Sequence, residues 1–213
     1  MSASRAGALT SAGARVQSAF AKVTGRPIFW FAFVAVLFAL PLGRSLARTL
    51  PPAPPHLGKI LPFELEDQYG HRLGTEELAS QTWVISFVPP DGSPAMVDEM
   101  NVLRTVVYRT RNLGSTFHMV SFASDPANDS RAARRTAVEK HCSSSRLWAF
   151  VGGTTEQIKQ AYDAVLGPLR LDAPPMGQLL LVDGSGNIRG EYGTDEASID
   201  RLMQDVGYVV NVP

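Results

Sequence analysis

The sequence predicts an α/β domain, a mixed β-sheet flanked by helices, with a transmembrane helix ahead of it. Two observations predict the domain. Apolar runs of strand length alternate with segments whose apolar residues recur every three or four positions, and the last two runs fold back as a hairpin before a final helix. A third observation, an uncharged stretch near the N-terminus, predicts the membrane helix.

Lysine plus arginine and aspartate plus glutamate both number 20, so overall charge does not draw the chain to nucleic acid. The distribution is uneven. Arg5, Arg15, Lys22 and Arg26 precede the apolar stretch, and the first carboxylate is Glu64. Pro27 to Gly43 carries no charge and is bounded by Arg26 and Arg44. As a helix it spans about 26 Å, against a hydrocarbon core of about 30 Å. Trp30 suits one interface. The alternative is a signal peptide cleaved after Ser45-Leu46-Ala47, against which stand Arg44 and the long leader. The leader positives orient the N-terminus to the cytoplasm and the remainder to the periplasm of a bacterial inner membrane. Ser11 to Val23 is a candidate short amphipathic helix on the inner surface, with an unstructured leader as the alternative. The expected organisation is a cytoplasmic leader (1–26), a single-pass anchor (27–43), a Pro-rich linker (44–57) containing Leu50 to Pro55 as a stiff spacer, and a folded domain (58–213).

In the domain, Leu61 to Glu66 reads as a strand turning at Asp67-Gln68-Tyr69-Gly70, and Thr75 to Ala79 as a helical turn. Trp83 to Val88 is a core strand. It leads through Pro89-Pro90-Asp91-Gly92 into a helix with Ser93 as N-cap and Pro94 in the first turn. Met96, Met100, Leu103 and Val107 give that helix an apolar face, and it ends near Gly114. Thr116 to Phe122 is the next strand, and Asp129 is the expected cap of a helix running to His141. Leu147 to Val151 is a strand. Thr154 and Gln157 form a capping-box pattern before a helix stopped by Gly167-Pro168. Gln178 to Val182 and Asn187 to Tyr192 form a hairpin, and the last helix starts near Thr194 with Ile199, Leu202, Met203 and Val206 inward.

A strand, a tight loop and a helix N-terminus is where thioredoxin-like proteins place a reactive cysteine or a metal ligand. The chain resembles the Sco/SenC family, membrane-anchored thioredoxin-fold proteins that carry copper for cytochrome c oxidase assembly. The resemblance covers roughly Pro62 to Val209. It rests on Asp67-Gln68-Tyr69-Gly70, on Phe87 with Ser93-Pro94 and Met100, and on Asp125-Pro126-Ala127-Asn128-Asp129-Ser130. Trp148 to Gly153 with Thr154 to Ile158, and Val182 to Ile188, continue it in the family's order. It implies a thioredoxin-like fold, copper held by two loop cysteines and a histidine, and oxidase subunits as partners.

The departures fall on that chemistry. The family's cysteine positions correspond to Pro89 (or Pro90, given a one-residue deletion) and Ser93, and the histidine position to Pro175. None supplies the thiolate or imidazole that copper favours. Arg134 and Ala137 stand where the family has apolar or aromatic residues. Met176, Met96 and Cys142 are the substitute ligands to weigh. Met96 and Met100 lie on a face expected to pack inward. Cys142 is the one cysteine, which excludes an intramolecular disulfide, and with His141 it makes the one adjacent His/Cys pair. Nothing nearby lowers its pKa. His118 lies within a strand and reads as structural, Asp125 and Asp129 as turn and cap, and Asp91 as a loop carboxylate without a visible partner. Pro174-Pro175 is a candidate cis bond.

The expectation is a non-enzymatic accessory or assembly factor for a respiratory complex of cytochrome oxidase type, with no cofactor and no metal site. It would be held in the membrane by its anchor and would bind oxidase or respiratory-complex subunits rather than nucleic acid. The alternatives are a copper chaperone with substitute ligands and a single-cysteine thiol oxidoreductase or peroxidase using Cys142.

Overall fold

The central strand Trp83-Val84-Ile85-Ser86-Phe87-Val88 has no charged residue and is buried along its whole length, as a strand covered on both faces must be. The computed structural model describes residues 27–46, 52–88, 94–123, 130–141 and 146–211. Two units divide the chain, Met1–Pro52 and Ala53–Pro213.

In the first unit, α1 (Pro27–Leu46) covers the uncharged stretch and contains Pro41. Ile28, Phe31, Phe38 and Leu40 are exposed along it, and Phe29 stacks on Phe33. Among the described residues, no helix is long and apolar enough to cross a membrane.

The second unit contains β1 (Gly58–Lys59), β2 (Glu64–Glu66), β3 (Arg72–Gly74), β4 (Thr82–Val88), α2 (Pro94–Thr110), β5 (Phe117–Ala123), α3 (Arg131–His141) and β6 (Trp148–Val151). After these come α4 (Thr155–Leu166), β7 (Gln178–Val182), β8 (Asn187–Gly193) and α5 (Glu196–Asn211). Six strands form one sheet in the order β1-β8-β7-β4-β5-β6, and β2 and β3 form a separate ribbon. β4, β5 and β6 run parallel, while β7 is antiparallel to β4 and β8 to β7. One face packs Val84, Met119 and Leu181 against α2, α3 and α5, and the other packs Ile85, Phe122 and Leu180 against α4 and the β2–β3 ribbon. This is the expected mixed sheet between helices.

Several local expectations hold at the atomic level. The Thr154 hydroxyl accepts from the Gln157 amide at 3.3 Å and the Gln157 side chain accepts from the Thr154 amide at 2.9 Å, which completes the capping box. A 3-10 turn at Gly167–Leu169 ends α4. The Asp67 carboxylate accepts from the Tyr69 and His71 amides, both at 2.8 Å, and so shapes the turn after β2.

Other details differ. Of the first expected strand, Leu61 to Glu66, only Glu64–Glu66 is strand (β2), and β1 lies ahead of it at Gly58–Lys59; Pro62, which cannot donate to a ladder, falls between the two. The cap of α3 expected at Asp129, which lies outside the described residues, is supplied by Ser130. Its hydroxyl accepts from the Ala133 amide at 3.1 Å, the geometry of a residue immediately before the first helical position. The last helix starts at Glu196, because Asp195 rather than Thr194 accepts from the Ser198 amide. α2 gives way at Thr110 to a 3-10 segment, Arg111–Thr116, broken by Gly114 at φ 58°. Pro174-Pro175 is not cis, since no described peptide bond is.

Candidate functional site

The sheet register decides which residues meet. β4 ends at Val88 opposite Ala123, the end of β5. Leu179 pairs with Ser86 in antiparallel register, so Pro175, Met176 and Gly177 lie beyond that same end of β4. α2 begins at Pro94, shortly after Val88. The ends of two parallel strands, the start of β7 and a helix N-terminus therefore converge, and of these the sequence itself predicts the succession of β4, loop and helix. Pro89, Pro90, Asp91, Gly92 and Ser93 lie outside the described residues, as do Asp125, Asp129 and Cys142.

Beneath this end the walls are apolar. Phe87, Phe122 and Tyr162 form an aromatic cluster with centroids 5.7 to 5.9 Å apart, and the Tyr162 hydroxyl donates to the Ala123 carbonyl. On the opposite face, Met96 and Met100 are buried in the core under α2. Met176 is 46 % exposed. Pro175 brings no side-chain donor, so the described residues here offer copper one accessible thioether and two that are packed away. That set does not fit the thiolate and imidazole ligation that the resemblance implies. Among the described residues, no group of three or more His, Cys, Asp or Glu side chains could hold a metal ion.

Two charged residues of this region are buried, of which the sequence marks only Arg134, at a position where the family has apolar or aromatic residues. Glu99, on the second turn of α2, is 8 % exposed, and its Oε1 has no hydrogen-bond partner among the described residues. Burial pushes its carboxyl up to about 7. Arg134, on the inner side of α3, is 5 % exposed. The available signal for Glu99 is positional, since it is three residues from Met96 and four from Leu103 on the apolar stripe.

The remaining candidates lie elsewhere. His118 sits in β5 next to the central strand, opposite Trp83, and burial lowers its pKa, in keeping with a structural role. His141 closes α3. A buried hydrogen-bonded chain also crosses the sheet. The Trp148 indole donates to the Ser121 hydroxyl at 2.9 Å, and Ser121 pairs with Ser86 at 2.7 Å. Gln68 joins the β2–β3 turn to β6, donating to the Trp148 carbonyl at 3.3 Å and accepting from the Phe150 amide at 2.9 Å. This gives the Asp67-Gln68-Tyr69-Gly70 turn a structural purpose.

No protein-family model matches the chain, and no curated protein matches it in sequence. Its fold does match solved structures. It is similar to BsSco, a member of the Sco family of cytochrome c oxidase assembly proteins, with a TM-score of 0.62 and 17 % identity over 78 % of this chain and all of that one. Yeast Sco1 matches at 0.57 and 21 % identity, over 71 % of this chain and 96 % of its own. Copper-bound ScoI of Arabidopsis thaliana matches at 0.55 and 18 %, over 71 % and 98 %. The domain thus has the thioredoxin-like fold of the Sco proteins.

Proposed function

We propose that this chain is a divergent Sco-type protein that works without bound copper and without a dithiol, as an accessory or assembly factor for a respiratory complex of cytochrome oxidase type. The observation that carries the proposal is the pairing of a Sco fold over most of the chain with Pro175 at the strand end where the resemblance implies a histidine. A scaffold that keeps its sheet and helices while losing its ligands retains a surface, and the proposed activity is protein binding through that end of the sheet. The chain would be tethered by Pro27 to Gly43 with its domain in the periplasm. Support comes from the exposed apolar side chains of α1 and the flanking Arg26 and Arg44. Local bilayer thinning and snorkelling of those arginines would offset a shortfall of about 4 Å.

The test is titration of the full-length protein with Cu(I) against a competing chelator, paired with oxidase assays in a deletion strain. Absence of tight copper together with loss of oxidase activity, restored by the wild-type gene, supports the reading. Stoichiometric copper that survives the competitor and disappears in Met176→Ala overturns it. That outcome would establish a chaperone with substitute ligands, a second reading motivated by the exposure of Met176 at the site end.

A further inference from the structure

At the opposite end of the sheet, a cavity of about 360 Å³ opens between the start of β4, the β7–β8 hairpin and the last turn of α5. Its volume is at the lower end for small-ligand pockets. Its lining is rich in hydroxyls, among them Ser80, Thr82, Thr116 and Tyr208, with Asp183 and Arg189 as the charged members.

Arg189 is placed there by an irregularity of the ladder. Val182 pairs with Ile188 and Leu181 with Gly190, so Arg189 is the extra residue of a β-bulge. A bulge bends its strand and re-aims a side chain. The guanidinium is then held through Nη1. Nη1 donates to Asp183 Oδ2 at 3.5 Å and to His56 Nε2 at 2.5 Å. The side chain is 13 % exposed, and its Nε is buried with no hydrogen-bond partner among the described residues. A buried guanidinium N–H left unpaired is costly unless an acceptor reaches it.

The acidic neighbour does not fill that role. Asp183 Oδ1 accepts from the Ser185 and Asn187 amides, both at 2.9 Å, and Oδ2 from the Asn187 side chain at 3.0 Å, so this carboxylate is engaged in its own turn. Ser80, also in the lining, is held in a costly conformation. Ser80 has φ 63°, and its amide donates to the Gly184 carbonyl at 2.8 Å, while a side chain at Gly184 would meet the Ser80 backbone at 3.0 Å. Non-glycine residues in the left-handed region concentrate at ligand clamps and switches.

We propose that this cavity binds a small oxyanion, a carboxylate or phosphate group, with the Arg189 guanidinium and the surrounding hydroxyls as donors. The site is separate from the strand ends discussed above and does not depend on the function proposed for them.

The test uses full-length protein in detergent, titrated with potassium phosphate and with sodium acetate at constant ionic strength, against chloride. The readout is the side-chain Nε–H resonance of Arg189 together with calorimetry. The expected result is a saturable shift with one of the two anions, millimolar or tighter, and the anion that saturates identifies the source chemistry. Arg189→Lys keeps the charge but removes the planar donor, and should weaken binding at least about tenfold in a protein of unchanged circular dichroism. A non-saturating response to both anions in the wild type overturns the proposal however the variant folds, and so does equal affinity in Arg189→Lys.

Discussion

Replacing Glu99 with glutamine should change how stability depends on pH, with little change in shape. The carboxyl is raised from 4.5 to about 7 by burial alone. The folded state therefore holds its proton to higher pH than the unfolded chain does, so stability is greatest below the unfolded value and falls as pH rises through about 7. At about 1.36 kcal/mol per tenfold change in proton affinity, this group costs the wild type about 2.5 kcal/mol between about pH 5 and about pH 8. Glutamine is neutral throughout and escapes that loss, though its amide keeps a constant cost of burial. Urea unfolding followed by near-UV circular dichroism, at both pH values, gives the stability difference between the two proteins. That difference should shift by about 2.5 kcal/mol in favour of Glu99→Gln on going to the higher pH. If the difference is the same at both values, Glu99 is ionised in the folded protein and the reasoning from burial fails.

Ser121→Ala should cost about 3 kcal/mol, because it leaves both the Trp148 indole and the Ser86 hydroxyl unpaired in the core, whereas Ser86→Ala should cost about 1 kcal/mol. Equal losses in chemical denaturation would show that the chain does not act through Ser121. Thr154→Ala removes the hydroxyl half of the capping box and should lower stability by about 1 kcal/mol, read as a fall in the denaturation midpoint at constant slope. Cys142→Ser should leave oxidase activity in the complemented deletion strain unchanged, and a large loss would restore the thiol-enzyme reading. Cysteines substituted at Pro89 and Ser93 with histidine at Pro175 should confer Cu(I) binding resistant to a moderate competitor, and continued failure would mean that the register does not bring these positions together.

The parts of this fold that were readable in advance are those governed by local chemistry. Thr154 and Gln157 sit at the spacing their reciprocal bonds demand, and Asp183 to Asn187 carry the turn residues of a hairpin. The convergence of β4, α2 and Pro175 was readable only through resemblance, because their meeting depends on pairing between strands far apart in sequence. Ser130 and Asp129 are both good caps, and no local rule chooses between adjacent ones. The bulge at Arg189 was invisible, since the flanking alternation of Ile188 and Tyr192 reads as an ordinary strand until its partner's register is known. The burial of Glu99 is a tertiary fact, because a helical glutamate reads as solvent-facing by default, whereas Arg134 is marked through the resemblance alone, at a position where the family has apolar or aromatic residues.

The strand order has a consequence for the order of events in folding. β4, the middle of the sheet, has β5 on one side, contributed by the next helix–strand unit, but on the other side it waits for β7, about a hundred residues later. β1, at the start of the domain, pairs only with β8. A chain emerging from the ribosome can therefore form β4, β5 and β6 with their crossovers, yet it leaves one edge of β4 open until Gln178 to Gly193 has been made. Closure comes late and depends on contacts distant in sequence, which slows folding and prolongs exposure of an apolar strand edge. Under the periplasmic placement proposed above, that delay would favour export, because the sheet cannot close until its C-terminal hairpin arrives.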